Sequence, residues 1–232
     1  EMYDAYKGTR KGMPDELREQ IPVMKELLTA MGIPLLMKEG YEADDLLGTI
    51  ARRSEAAGMD VVIVSGDRDL LQIATDRILI RIPKTKRGVT EIENYHAADV
   101  KEVCQVTPAQ IIELKALMGD SSDNIPGVPG IGEKGATALI TAYGHIETAY
   151  EHVDEIRQKR TREALREHFD MAVMSKKLAT ICVDAPVEFE LEAARFTDPY
   201  TPEAYEWCRK LNFRKYLERF KKEGTPMPKE AE

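Results

Sequence analysis

The sequence predicts an α/β fold, with a mostly parallel central sheet flanked by helices and followed by a region that is almost wholly helical. Three observations carry this. Short apolar runs alternate with helical periodicity through about residue 106, the pattern of strands joined by crossover helices. Three acidic clusters, Glu42-Ala43-Asp44-Asp45, Gly66-Asp67-Arg68-Asp69 and Gly119-Asp120-Ser121-Ser122-Asp123, each stand where an apolar segment stops or starts. In open α/β sheets that is where ligands sit, past the carboxyl ends of strands. Finally, residues 125–134 read Ile-Pro-Gly-Val-Pro-Gly-Ile-Gly-Glu-Lys, a Gly/Pro hairpin opening into a helix.

The elements follow in order. Leu17, Ile21, Met24, Leu27, Leu28 and Met31 recur at three- and four-residue steps, which predicts an amphipathic helix over 15–31 with Pro14 before it and Gly32 ending it. Residues 33–37 form a short apolar stretch expected to be a strand. The first acidic cluster leads into a helix with Leu46, Leu47, Ile50 and Ala51 inward, closing at Gly58. Residues 60–65 predict a buried strand, 76–82 another, and 89–92 a partner for it around the basic turn 84–88. Thr107-Pro108-Ala109-Gln110 is a helix start with Thr107 as N-cap and Gln110 placed for a capping box, running to Met118. The next helix begins near Glu133, carries Ala136, Leu139 and Ile140 inward and stops at Gly144. Further helical segments are expected at 146–153, 160–169, 172–179 and 202–220. The resulting division is an α/β core at 1–106, a helical region at 107–220, and a polar tail or linker at 221–232.

Composition bounds the function classes. With 232 residues, 43% of them hydrophobic, and a mean hydropathy of −0.40, the chain buries a core in one large domain or two small ones. No aliphatic run approaches the roughly 20 residues of a membrane span, and the N-terminus carries no basic-then-apolar signal, so a cytoplasmic protein is expected. Cys104, Cys182 and Cys208 are odd in number and never form C-x-x-C, which predicts reduced fillers rather than disulfides or zinc. His96, His145, His152 and His168 share no spacing and are expected at the surface or in packing. The net charge of −8 argues against whole-domain nucleic-acid binding. Its distribution argues the other way, since bases gather at 7–11, 81–87 and 157–166 and cations bound by the acids would invert the local sign.

Each acidic cluster alone has an ordinary explanation: helix first-turn acids stabilise the dipole, and Asp favours turns and caps. Together, seven carboxylates, Glu42, Asp44, Asp45, Asp67, Asp69, Asp120 and Asp123, repel one another unless cations neutralise them. All-oxygen donors select a hard cation such as Mg2+ or Mn2+, and a pair of such ions suits in-line phosphodiester displacement. In the hairpin, Gly127, Gly130 and Gly132 remove side chains ahead of Lys134, so backbone amides can approach a phosphate without reading sequence; a plain turn between helices is the alternative. Lys7 and Arg10, three apart on an expected helix, could grip the scissile or adjacent phosphate, or form a solvated basic face.

The runs Tyr6-Lys7-Gly8-Thr9-Arg10, Gly40 to Asp45, Ser65 to Leu70 and Leu117 to Lys134 together closely resemble the 5′-nuclease domain of bacterial DNA polymerase I, with flap endonucleases and phage 5′-exonucleases as wider relatives. The likeness extends to about Phe220. It implies a PIN-like 5′-nuclease fold, and it implies that Glu42, Asp44, Asp45, Asp67, Asp69, Asp120 and Asp123 are metal ligands. It makes the hairpin (Gly127, Gly130, Gly132, Lys134) a helix-three-turn-helix that holds duplex DNA and often K+, and makes Lys7 and Arg10 catalytic residues at the foot of an arch whose remnant lies near 1–35. The expected activity is metal-dependent 5′-3′ exonuclease and 5′-flap endonuclease action on DNA flaps, nicks and duplex ends, with polymerase domains as covalent partners. Family members begin with a strand bearing one ligand Asp and carry another on a following strand. Neither precedes Glu1, which leaves a non-catalytic DNA-junction-binding fragment as the alternative. A dehalogenase-like phosphatase built on Asp67-x-Asp69 would leave the hairpin unexplained.

Overall fold

The computed structural model describes residues 3–86 and 88–222. It divides into two compact units: residues up to Arg10 with Gly40–Ala185, and Lys11–Glu39 with the described residues from Pro186 on. The expected tail lies, beyond Lys222, outside the described residues, as does Arg87 of the basic turn.

In the first unit, strands β1 (Val61–Val64), β2 (Ile78–Lys86) and β3 (Val89–Tyr95) form a sheet of order β1-β2-β3. β1 runs parallel to β2, with Val61 opposite Ile78, and β3 returns antiparallel, with Ile80 opposite Tyr95. Ile78, Ile80 and Ile82 alternate inward and are at most 2% exposed, as a half-buried strand requires. β1 is less covered than its aliphatic sequence predicts. Only Ile63 is buried, while Val62 and Val64 are 55% and 65% exposed, because this strand lies at the sheet edge and shares only one face with the core.

Helix α2 (Ala43–Ala56) precedes β1 and closes at Gly58, which adopts the left-handed conformation (φ +88°) that ends helices. Helix α3 (Ala97–Cys104) is followed by α4 (Ile111–Met118), α5 (Glu133–Tyr143), α6 (Ile146–Glu151), α7 (Lys159–Glu167) and α8 (Phe169–Ala179). The start of α4 follows its sequence: Thr107 N–H donates to Gln110 Oε1 at 3.0 Å, and a 3-10 turn over Pro108–Gln110 leads into the helix. α4 is the central helix of this region, with Ala116 and Leu117 fully buried between α5 and α8.

The second unit holds α1 (Asp15–Ala30), α9 (Pro202–Lys210) and α10 (Arg214–Lys222). Its core is Ala30, Ala204, Cys208 and Phe220, with Tyr200 edge-on to Phe220 at 5.0 Å. Thr201 Oγ1 donates to Ala30 O at 2.7 Å and accepts from Ala204 N–H at 3.0 Å, tying α1 to the start of α9. Three expectations change here. Residues 33–37 form no strand, because no extended segment lies alongside to complete their backbone hydrogen bonds among the described residues; Leu35 and Met37 are exposed. The apolar stripe of α1 is half-covered, with Leu17 and Met24 near 45% exposure. The helical segment 202–220 breaks at Asn212, whose φ of +57° cannot continue a right-handed helix. All three cysteines are free.

Candidate metal and nucleic-acid site

The second acidic cluster follows β1 directly. Ser65 N–H is the last to join the β1–β2 ladder, donating to Arg81 O at 3.1 Å, and Ser65 Oγ then accepts from Asp67 N–H at 3.1 Å. Asp67 Oδ1 accepts from Asp69 N–H at 2.9 Å, capping a 3-10 turn over Arg68–Ile73. Leu70, Leu71, Gln72 and Ile73 bury their side chains and hold that turn down. The acids are thus fixed at the carboxyl end of a strand.

The third cluster is a closed loop at the end of α4. Gly119 (φ +73°) turns the chain, and Asp120 and Ile125 exchange backbone hydrogen bonds of 2.9 and 2.8 Å. Asp120 Oδ1 accepts from Ser122 N–H at 2.8 Å. Lys115, one and a half turns earlier on α4, places its ammonium between Asp69 and Asp120, joining the second cluster to the third. Burial alone would raise the Asp120 carboxyl, but Lys115 and the Ser122 hydroxyl outweigh it and hold it at about 2. Asp69 is raised by burial and by Asp67 and Asp120, against the pull of Lys115.

The first cluster joins from the start of α2. Burial, and then the negative charges of Asp67, Asp69 and Glu42, push the Asp44 carboxyl up to about 6. Residues 4–9 form consecutive turns rather than the expected helix, with Lys7 itself left-handed (φ +56°). The reason is docking: Lys7 N–H donates to Asp123 O at 2.8 Å, and Asn124 Nδ2 donates to Ala5 O at 2.7 Å. This brings the Lys7 ammonium against Glu42 and the Arg10 guanidinium against the buried Asp123. Asp45 has a different use. Its Oδ2 accepts from Glu42 N–H at 3.0 Å and its Oδ1 from Cys182 N–H at 2.9 Å, so both oxygens cap backbone amides.

A groove of about 1,240 Å3 runs along this site, lined by Asp67, Asp69, Lys115, Asp120, Glu133 and Lys134 among others. Asp67, Asp69 and Asp120 therefore share one space with the first turn of α5. Gly132 is the N-cap of α5 and offers no side chain to bond the first-turn amides; a Cβ there would meet nothing within 4 Å. Gly130 (φ +90°) has Arg160 alongside, 3.5 Å from where a Cβ would stand. Gly127 is needed by packing instead. A Cβ on it would lie 2.2 Å from Gly119 N, and its N–H is spent on Ser175 Oγ at 3.0 Å, so its amide is not open to a phosphate.

The donor set fits a hard divalent cation. The acids of this region offer only carboxylate oxygens, and Asp45 apart they outnumber the three cations Lys7, Arg10 and Lys115 that lie against them, although among the described residues no three of them bring ligand oxygens within 4.8 Å of one another. Ion pairs reach Glu42, Asp69, Asp120 and Asp123 but neither Asp44 nor Asp67 among the described residues. Sequence reasoning missed Lys115. Its one signal was a lysine, two residues after Glu113, inside the mostly apolar stretch Ile-Ile-Glu-Leu-Lys-Ala-Leu-Met.

Comparison with known proteins bears on this arrangement. The DNA polymerase I of Bacillus caldotenax is 44% identical over 235 aligned residues, which cover 100% of this chain and 27% of that protein. The chain spans about a quarter of the length of the curated relatives it matches. A structure of T5 5′-exonuclease with bound divalent metal ions (zinc) superposes with a TM-score of 0.65 at 26% identity, covering 78% of this chain and 69% of that one. A bacteriophage T5 flap endonuclease in a complex with DNA and metal ions gives 0.63 at 25% identity, covering 79% and 68%. Family models for the 5′-3′ exonuclease N-terminal resolvase-like domain and C-terminal SAM fold match residues 1–105 and 106–202. With the acids at the carboxyl end of β1 and a glycine-capped helix across the groove, the chain belongs to the 5′-3′ exonuclease family.

Proposed function

We propose that this chain hydrolyses phosphodiesters near the 5′ ends and flap junctions of DNA, as the nuclease part of a cytoplasmic DNA polymerase I acting in replication and repair. The observation that supports it is the shared groove: Asp67, Asp69 and Asp120 on one side, and the open first-turn amides of α5 with Lys134 on the other. A phosphate bound at those amides lies along the same groove as the acids.

Asp44 and Asp67, which form no ion pair among the described residues, would be the principal holders of Mg2+ or Mn2+, with Glu42, Asp69, Asp120 and Asp123 completing the oxygen set directly or through water. Divalent cations held there supply electrophilic polarisation of the phosphoryl oxygens and a nucleophile at neutral pH. Lys7 and Arg10, already held against Glu42 and Asp123, supply positive charge where the transition state gains negative charge. Lys115 lies against both Asp69 and Asp120 and favours their ionised forms. The hairpin amides position duplex DNA by its backbone, and a potassium ion at that hairpin is the second cation of this reading.

The test is cleavage of a 5′-flap duplex with magnesium, beside binding of the same duplex without it. Asp67→Asn is expected to lower cleavage roughly 10²-fold or more while duplex affinity changes little. Cleavage by the variant equal to that of the unsubstituted chain would overturn the metal assignment. Binding with no cleavage by either would support a non-cleaving junction-binding module instead.

A further inference from the structure

The second unit carries a concentration of positive charge that the nuclease groove does not use. Residues 207–221 hold Arg209, Lys210, Arg214, Lys215, Arg219 and Lys221 against the single acid Glu218, in a chain whose net charge is −8. On α10 the helical repeat sends Leu217 and Phe220 into the core, and Arg214, Lys215 and Arg219 stand on the exposed side. Lys210, at the end of α9, is exposed next to them in sequence.

Arg209 pairs with Glu206 at 2.8 Å, and the cations that follow it are left without a carboxylate among the described residues. Among the described residues Lys210, Lys215, Arg219 and Lys221 pair with no carboxylate, whereas Arg18 on α1 of the same unit pairs with Asp15 at 3.1 Å. α1 mixes signs, with Asp15, Glu16, Glu19 and Glu26 beside Arg18 and Lys25, as a merely solvated face does. The basic face is also interleaved with rings: the Lys210 ammonium lies 4.4 Å from the Trp207 centroid and the Arg219 guanidinium 5.2 Å from that of Tyr216, which is 46% exposed. Such stacking restricts long cationic side chains and lowers the entropy lost when they bind.

We propose that the exposed face of α10, with Lys210, is a second nucleic-acid surface that binds the phosphate backbone of duplex DNA independently of the acidic groove and without reading sequence. Charge complementarity selects the occupant, because an unpaired row of cations on an acidic protein gains from releasing the counterions of a polyanion. The inference rests on the DNA reading above.

The experiment titrates the full chain, and the variant Lys215→Ala/Arg219→Ala, with a short blunt DNA duplex in EDTA across about 50 to 200 mM salt. If each cation neutralises one phosphate, the variant's slope of log K against log salt is shallower by about 1.8, with an unchanged melting temperature. Lys210→Ala alone is expected to reduce it by about 0.9. Unchanged slopes in both variants overturn the proposal while leaving the nuclease reading intact. Loss of binding to phosphatidylserine vesicles with an unchanged DNA slope overturns it in favour of a lipid surface. A chain that binds no duplex before substitution overturns this proposal and the DNA reading together.

Discussion

Helix α4 buries two opposite charges two residues apart, and the contrast between them separates structure from chemistry in this molecule. A two-residue step rotates a helix by about 200°, so Glu113 and Lys115 face opposite sides. Glu113, with its side chain 2% exposed, is fully matched: Oε1 lies 3.0 Å from His145 Nδ1 and 2.7 Å from Lys176 Nζ, and Oε2 accepts from Ile146 N–H at 3.1 Å. It caps the start of α6 and ties α4 to α8. Lys115 faces the groove and bridges Asp69 and Asp120, while among the described residues Asp44 and Asp67 form no ion pair. A buried charge whose partners balance it holds helices together. One whose partners carry excess charge of the opposite sign marks a place where a further ion is wanted.

The largest effect that could break this contrast is on stability. Glu113→Ala leaves Lys176 and the Ile146 amide without their buried acceptor, and removing one member of a buried pair costs roughly 3–5 kcal/mol. For a chain of this size that lowers the melting temperature by about 6–20 °C. Calorimetry of the variant decides it, and a shift below about 2 °C would mean that Glu113 is not the clamp described here.

The second effect is on cation binding. Lys115→Met keeps the length of the side chain and removes its charge, so Asp69 and Asp120 lose the ammonium that competes with a bound ion. A unit charge about 4 Å away at an effective permittivity near 20 is worth about 4 kcal/mol before desolvation, so a rise of roughly tenfold in magnesium affinity is a modest expectation. Isothermal titration with magnesium measures it. Weaker binding in Lys115→Met would show that the lysine organises the acids more than it competes for them.

These charges also mark where the sequence stopped being legible. The α4 cap at Thr107 and Gln110, the stops at Gly32, Gly58 and Gly144, and the β2–β3 hairpin were readable because each depends on neighbours a few residues apart. The strand expected at 33–37 failed because a strand needs a partner, which its own residues do not encode. The acids were readable as a group from their positions at segment ends. Their division of labour was not: Asp45 is spent on Cys182 N–H and Lys7 is anchored to Asp123 O, contacts between distant parts of the chain. Gly127 looked like a place for a phosphate, but its missing side chain makes room for Gly119. Glu113 and Lys115 left one trace, two charges in a mostly apolar helix, and their partners lie in distant parts of the chain that this trace does not name.

The smallest prediction concerns the rim of the structural clamp. Both oxygens of Glu147 lie 2.9 Å from Lys176 Nζ, the same ammonium that Glu113 holds from inside. Burial pushes the Glu147 carboxyl up, but Lys176 outweighs that and leaves it below its ordinary value of 4.5. A carboxyl lowered in the folded state contributes stability above its unfolded value and loses it as the pH falls through the folded one. Its side chain is 51% exposed, so solvent screens most of the attraction, and Lys176 keeps Glu113 when Glu147 is neutralised. Glu147→Gln is therefore expected to cost about 0.5 kcal/mol or less in urea unfolding at neutral pH. The difference from the unsubstituted chain is expected to vanish once the pH is well below 4.5. A cost at neutral pH approaching that of Glu113→Ala, or one that grows on acidification, would place the weight of the clamp on its exposed partner rather than its buried one.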